Sequence, residues 1–296
     1  MKSLLLLTFS VLGAVFGPSQ AMAASILDPE LASFAVLGHA AVTNTGATTL
    51  TGNLGVSPGA SITGSGTITL TGAPHQNDSF ASTAGTQLVA ALTALGSQGV
   101  ATSQPVDLTG LTLAPGIYSV AAGTNLTGTL TLDGTGFLPA DQFWVFQMAS
   151  TLITAADSKV DVINTSPGAG VFWSVPASAT LGAGTSFAGN ILALTSITLN
   201  TGATIGCGRA LASTGAVTMD HNTISIGCAG TGEEGSNGLS GSLVGGAAPF
   251  PLPVGPPAVY GVTTSGLVPV PEPSTFLLFG AGLAALAGAA WRRRGN

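Results

Sequence analysis

Apolar positions along this chain follow two different periods. Stretches such as Thr127-Gly128-Thr129-Leu130-Thr131-Leu132 and Ser196-Ile197-Thr198-Leu199 set a small residue beside an aliphatic one at each step. A period of two sends successive side chains to opposite faces, so these stretches predict half-buried strands. Elsewhere Phe80, Ala84, Leu88, Leu92 and Leu95 recur at helical spacing, behind Asn77 or Asp78 as a capping residue. That pattern predicts one helix of about twenty residues, ended by Gly96 to Gly99 and covering one apolar flank of the strands.

The strand segments also repeat one another. TLGAGTSFAGNILA from Thr180 aligns with TLNTGATIGCGRALA from Thr198 if one residue is inserted, so that Thr180 meets Thr198, Gly184 meets Gly202 and Leu192 meets Leu211. The pattern begins again at Thr218, and the starts at 180, 198 and 218 are 18 and 20 residues apart. A repeat of this length suits one coil of three short strands, which predicts a solenoid. Far upstream, Asn44-Thr45-Gly46-Ala47-Thr48 reappears as Asn200-Thr201-Gly202-Ala203-Thr204, with Gly52 and Gly59 at the offsets of Gly208 and Gly215. Both ends of the segment therefore belong to one stack.

Aligning the coils turns Leu132, Leu152, Leu181, Leu199 and Met219 inward. It sets Thr131, Thr151, Thr180, Thr198 and Thr218 outward in one column, flanked by Ser178 and Ser196 two places before, and by Gly182 and Asn200 two places after. Asp133 and Asp220 fall at its margins. Thr185, Ser186 and Thr204 are expected on other faces.

The two ends of the chain have a different texture. Residues 1–23 carry Lys2, an apolar stretch from Leu4 to Phe16, then Pro18 and Ala21-Met22-Ala23, the layout of a secretory signal peptide with cleavage expected after Ala23. An uncleaved anchor is the alternative. Ser274 to Trp291 is almost wholly apolar and leads into Arg292, Arg293 and Arg294, as in one tilted membrane span with its charged end cytoplasmic. Between lie a domain over residues 24–229 and a Gly/Ser/Pro-rich linker over 230–269. The linker's Gly230-x-Gly232-x-x-Gly235 has neither strand before it nor helix after it, and Glu233 and Glu234 would repel a phosphate.

Without those ends the basic residues reduce to Lys159 and Arg209, in a chain whose net charge is −6. That balance excludes a nucleic-acid partner and disfavours anionic lipid surfaces. Only 6% of residues are charged, against 43 glycines and 45% hydrophobic residues, a profile unlike a disordered chain. Cys207 and Cys228 are the only cysteines, and in an exported protein they are expected to pair, two free thiols being the alternative.

No enzyme, metal or cofactor signature emerges. His39, His75 and His221 are far apart in sequence, without an HExxH or CxxC arrangement. Gly55-Val56-Ser57-Pro58-Gly59 satisfies G-x-S-x-G but runs into Ala60-Ser61-Ile62-Thr63, which reads as strand where a nucleophile elbow needs a helix. Asp157, Lys159 and Asp161 on one strand face read as a solvated charged edge rather than a calcium site.

The stretch GVFWSVPASATLGAGTSFAGNILALTSITLNTGATIGCGRALASTGAVTMDHNTI resembles the bacterial and fungal ice-binding protein family. FAVLGHAAVTNTGATTLTGNLGVSPG, DLTGLTLAPGIYSV and LTGTLTLDGTG resemble its earlier motifs, so the likeness runs from about Leu31 to Ile226. It implies an all-β dominated fold, a discontinuous right-handed β-solenoid of triangular section, with one long helix alongside and amino-terminal coils inserted out of sequence order. The tail VPEPSTFLLFGAGLAALAGAAWRRR resembles the PEP-CTERM sorting signal. This second likeness implies that an exosortase reads Pro271-Glu272-Pro273, removes the tail and releases a transiently membrane-anchored protein to the cell surface or beyond. A plain carboxy-terminal anchor is the alternative.

The implied partners are an ice crystal surface, signal peptidase and an exosortase-type enzyme, with the membrane engaged before processing and the protein otherwise a monomer. Ice binding suits a rigid, weakly charged grid, repeating about every 4.8 Å between coils and about 6.8 Å along a strand. Threonine suits each node, because its hydroxyl bonds water, its methyl excludes it, and its β-branch restricts rotamers. Thr131, Thr151, Ser178, Thr180, Ser196, Thr198, Asn200 and Thr218 are thus the candidate ice-binding residues. A competing reading is an adhesive matrix protein that binds carbohydrate or itself. Carbohydrate favours aromatic platforms, yet aromatics make up 6% of the chain and Trp144 and Trp173 sit in apolar strands. A solenoid polysaccharide lyase would want clustered acidic and basic residues, which the sequence lacks.

Overall fold

The computed structural model describes residues 26–138, 141–166 and 169–227. The signal peptide, linker, Pro-Glu-Pro motif and apolar tail read from the sequence lie outside them. Among the described residues no helix is long and apolar enough to cross a membrane.

Short strands, all paired in parallel, wind through three faces. The first face stacks Thr102–Gln104, Gly116–Val120, Phe143–Met148 and Gly170–Val175, followed by the later halves of Ser186–Ala193 and Thr204–Ala212, then Phe34–Gly38, Asn53–Val56 and Pro74–Gln76. A second, short-strand face stacks Leu152–Ile153, Ala179–Leu181, Ile197–Leu199, Val217–Met219, Ala41–Asn44 and Ser61–Thr63. The third, open face stacks Thr112–Leu113, Thr129–Asp133 and Lys159–Ile163, then the first halves of Ser186–Ala193 and Thr204–Ala212, then Thr223–Ser225, Thr48–Thr51 and Ile68–Leu70.

The chain order is broken in each stack. Val36 pairs with both Ala210 and Leu54, so residues 34–76 build their coils onto the coil formed by residues 204–225. After a short helix α1 (Pro29–Ala32), the long helix α2 (Ser79–Gly96) lies along the first face, capped where the Asp78 carboxylate accepts from the Ala81 N–H at 2.8 Å. Its buried stripe is Ala81, Ala84, Leu88, Ala91 and Leu95, while Phe80 and Leu92 are half-buried. Small alanines on the contact line bring the helix close to a flat sheet and push those two larger side chains to its flanks.

Two apolar layers result. Leu192, Leu211, Phe172, Val145 and Leu37 point out of the first face into the helix, whereas the solenoid interior holds the opposite faces of the same strands. Inside, Tyr118, Phe146 and Trp173 stand in register and stack at centroid distances of 5.6 and 4.0 Å, with Phe187 continuing the ladder at 4.9 Å. Trp144 and Trp173 also spend their indole N–H groups on the Leu113 and Ala188 carbonyls. Residues this large fix the spacing of the coils from within.

The repeat alignment agrees with the strand register. Thr180 pairs with Thr198, Ser186 with Thr204 and Leu192 with Leu211, and the inserted residue lies in the later strand, where Gly206 and Arg209 stand opposite Ala188 and Asn190 as both strands turn a corner. Gly189 and Cys207 take positive φ there, 101° and 49°. The phrase shared by residues 44–48 and 200–204 sits differently. Thr43 pairs with Thr218 and Thr49 with Thr223, which places Asn44 level with Leu199 and Thr48 level with Ala203, one position from the match in letters. A slip of one reverses faces. Asn44 and Thr48 are consequently buried while Asn200 is exposed and Thr204 half-buried.

Candidate functional site

At the centre of the short-strand face, Ala179–Leu181, Ile197–Leu199 and Val217–Met219 bury their outer positions and leave the middle one half-buried. Ala179 and Leu181, Ile197 and Leu199, and Val217 and Met219 point into the interior, which turns Thr180, Thr198 and Thr218 outward in one ladder. The ladder continues to Thr43 and Thr63 at one end and to Ile153 at the other. Six strands span about 24 Å at the usual inter-strand spacing. All of these threonines but the terminal Thr63 are half-buried.

Two residues expected in this column are elsewhere. Thr131 lies on the open face, paired with Thr112 and Asp161, because its coil delivers it one corner later. Thr151 stays on the short-strand face but one row aside, since Ile153 is the residue opposite Thr180. Two members that the sequence reading missed, Thr43 and Thr63, come from the coils inserted out of order. The shared phrase at Asn44 and Asn200 signalled them, but with the register shifted by one.

Ser178 and Ser196 flank the ladder and tie the coils together. The Ser178 hydroxyl lies 2.9 Å from that of Thr195 and accepts from the Ser196 N–H, and the Ser196 hydroxyl accepts from the Ala216 N–H. Asn200 and Asp220 sit two places beyond Thr198 and Thr218. Asp220, beside the ladder, is held below the ordinary carboxylate range by the Thr201 hydroxyl and then by His221.

Along the corner between the short-strand and open faces runs a buried polar network. Asn222 donates to the Asn200 and Ala203 carbonyls, the Thr48 hydroxyl donates to Asn44, and Asn44 donates to the Gly46 carbonyl. In another coil Thr154 and Thr185 share a 3.0 Å hydroxyl contact, so Thr185 belongs to this interior corner and not to an outer face. No buried side-chain polar atom among the described residues lacks a partner. A fully satisfied network of this kind holds the adjoining strands rigid.

The open face carries its own ladder of Thr69, Thr49, Thr223, Thr204 and Ser186. It is interrupted at the next position by Lys159, whose ammonium pairs with Asp161 at 2.7 Å. Asp157, the third member of the charged edge read from the sequence, takes a positive φ at the preceding corner. Cys207 is buried and disulfide-bonded behind this face, and Cys228, the chain's other cysteine, lies outside the described residues. Ser57 of the G-x-S-x-G stretch is buried at a corner followed by the strand Ser61–Thr63, which removes it from nucleophilic chemistry. The large exposed hydrophobics among the described residues are Val89, Val100, Val106, Leu138, Ile163 and Leu194, so no aromatic platform stands on these surfaces.

Residues 36–225 match the family described as Ice-binding-like, and residues 269–294 match the PEP-CTERM protein-sorting motif. The chain is 47% identical over 212 residues to an ice-binding protein of Nostoc sp. (strain HG1), across 71% of this chain and 78% of that protein. It is 32% identical to an ice-binding protein of Flammulina populicola, across 76% of this chain and all of that protein. Among solved structures, the ice-binding protein of the Antarctic ascomycete Antarctomyces psychrotrophicus superposes with a TM-score of 0.63 at 38% identity, over 68% of this chain and 98% of that one.

Proposed function

Because the chain belongs to the ice-binding-like family, we propose that it binds ice through the short-strand face, with Thr180, Thr198, Thr218, Thr43 and Thr63 as the central row. The carrying observation is the register: five threonines from successive coils, in a line, the three at Thr180, Thr198 and Thr218 on strands whose other side chains are buried. Such a row presents hydroxyls and methyls at the inter-coil spacing, with rotamers already restricted by β-branching and neighbour packing. Waters ordered over it meet an ice lattice with little entropy left to lose. Ser178, Ser196, Thr151 and Asn200 form the flanking rows.

The ladder on the open face, centred on Thr204, is the second reading, favoured by its four threonines and a serine in unbroken register. The lysine–aspartate pair beside it weighs against it, since a fixed charge pair orders water around itself rather than in a lattice. Thr198→Tyr and Thr204→Tyr separate the two. Loss of ice-crystal shaping in the first alone supports the short-strand face, and loss in the second alone moves the site.

The adhesive reading is weakened by the burial of Trp144 and Trp173, which withdraws both indoles from any saccharide at the surface of the described residues. We also propose that the chain is organised as a signal peptide over 1–23, the solenoid domain over 24–229, a linker over 230–269 and the sorting segment over 270–296. The sorting motif points to an exported, surface-directed protein. Recognition of Pro271-Glu272-Pro273 by an exosortase-type enzyme, removal of the tail and final release are the finer steps we infer. Ice modification outside the cell would follow. Mass spectrometry of the secreted protein tests this: a mature form beginning after Ala23 and ending near Val270 is expected, and an intact tail would contradict it.

A further inference from the structure

The threonine ladder crosses a seam. From Thr180 to Thr218 it climbs coils that follow one another along the chain, but its next member, Thr43, belongs to a coil inserted from the start of the domain. Backbone pairing closes the seam along the strands and ends with the Thr45 N–H on the Met219 carbonyl at 3.0 Å. Past that point the strands give way to turns, and side chains take over.

In the row two places beyond the ladder, Asp220 stands among the neutral residues Ala155, Gly182, Asn200, Thr45 and Ser65. A charge set into a surface that orders water calls for a reason, and its contacts supply one. The carboxylate accepts from the Thr201 hydroxyl of the preceding coil. From the inserted coil on the other side the Thr45 hydroxyl, 3.3 Å from the Met219 carbonyl, also reaches it, and the charged acceptor is the stronger of the two. His221 Nδ1 occupies a third position at 2.7 Å, its imidazole lying over Gly46, where any side chain would run into the ring. The backbone is anchored as well: the Asp220 N–H donates to Asn222 Oδ1 at 2.6 Å, and its carbonyl accepts from the Gly202 N–H at 3.1 Å.

An ionised carboxylate can only accept, so it draws both hydroxyl protons towards itself. Thr201 and Thr45, which are exposed, then turn oxygen lone pairs to the solvent in a fixed direction. A hydroxyl already oriented loses little freedom when a lattice of water forms against it. Resting on the short-strand face as the ice-binding surface, we propose that Asp220 is a positioning residue for ice binding. It orients the Thr201 and Thr45 hydroxyls on the two sides of its own coil and so carries one continuous template across the seam.

Thermal hysteresis of a small set of full-chain variants tests this. Asp220→Ala is expected to lower hysteresis several-fold while the circular dichroism spectrum stays native, and Asp220→Asn, which keeps one acceptor oxygen, to retain more of it. The Thr45→Val, Thr201→Val double variant removes the two hydroxyls directly, and adding Asp220→Ala to it should lower hysteresis no further. Unchanged or raised hysteresis in Asp220→Ala overturns the proposal, because the charge would then be idle or an interruption of the surface. A further loss in the triple variant also overturns it, because Asp220 would then act by a route other than these hydroxyls. Nuclear magnetic resonance gives an independent readout: slowly exchanging hydroxyl protons on Thr45 and Thr201 are expected in the parent chain and should vanish in Asp220→Ala. Thr198→Tyr separates the two levels of the reading. If it leaves ice shaping intact, the face is misassigned and the role of Asp220 falls with it; if it abolishes shaping while Asp220→Ala changes nothing, the face stands and only the role of Asp220 falls.

Discussion

Thr43 stands beside Thr218 in a parallel register on the short-strand face, so a coil from the start of the domain prolongs a row laid down by its last coil. If the row acts as one surface, its members are interchangeable in effect. Thr43→Tyr and Thr198→Tyr should each remove most of the thermal hysteresis while changing stability by no more than about 0.5 kcal/mol, as for other surface substitutions. Thr131→Tyr, on a different sheet, should leave hysteresis intact. Nanolitre osmometry together with thermal melts checks all three.

Arg209 is buried without a carboxylate partner among the described residues, and burial lowers its pKa to about 10. Its Nε and Nη2 donate to the Ala32 carbonyl at 2.9 and 2.6 Å, and Nη1 donates to Asn190 Oδ1 at 2.8 Å. It thereby ties α1, at the entrance to the inserted coils, to Asn190 of the neighbouring strand Ser186–Ala193. Arg209→Leu strands both acceptors and should cost about 2–4 kcal/mol, measured by urea denaturation. Arg209→Lys should recover little of that, since a compact ammonium does not span acceptors on both sides.

The Asp78 carboxylate caps α2 and lies 2.7 Å from His75 Nδ1, and the imidazole stacks on Phe80 at 4.6 Å. Asp78→Ala should lower the melting temperature of the domain, and Asp78→Asn, which keeps a capping acceptor, should lower it less. Faster hydrogen exchange confined to the first turns of α2 would accompany the alanine change.

Acid should act through a small set of carboxylates. Asp78 is held below the ordinary aspartate value of 3.8 by the Ala81 N–H and then by His75, and Asp133 by Asn164 and then Thr135. Asp220 is lowered by Thr201 and then His221. Each lowered folded-state value favours the ionised carboxylate in the native protein. Their stabilisation is therefore complete above the unfolded value and is lost as pH falls through the folded ones. Calorimetry should find a melting temperature steady from neutral pH to about 5 and dropping below about 4; a flat profile down to pH 2 would contradict this account.

Much of this architecture was legible in the residue order, and what escaped has a physical cause. Thr180, Thr198 and Thr218 fell into line because their coils differ by one bulged residue and one short corner. Thr131 and Thr151 were misplaced because the earlier coils join their strands through unequal numbers of residues, and a repeat counted across unequal connections loses its phase. Thr43 and Thr63 were missed for a subtler reason. The bulge at Cys207 adds a residue to one coil that its neighbour lacks, so identical letters at 44–48 and 200–204 face opposite ways while Gly52 and Gly208 remain level. The role of Arg209 had no local signal, since its acceptor at Ala32 is brought near only by the out-of-order stacking.

That stacking also constrains how the molecule comes to exist. Synthesis delivers Phe34–Gly38 early, but one of its two neighbouring strands, Thr204–Ala212, arrives only when the domain is nearly finished. The early coils must wait with one edge and part of their apolar surface unsatisfied, and closing so large a loop is slow. Growth of the stack is thus not progressive from its beginning: the final turn is the keystone, and a nascent chain halted before it would leave its own opening segment without a seat.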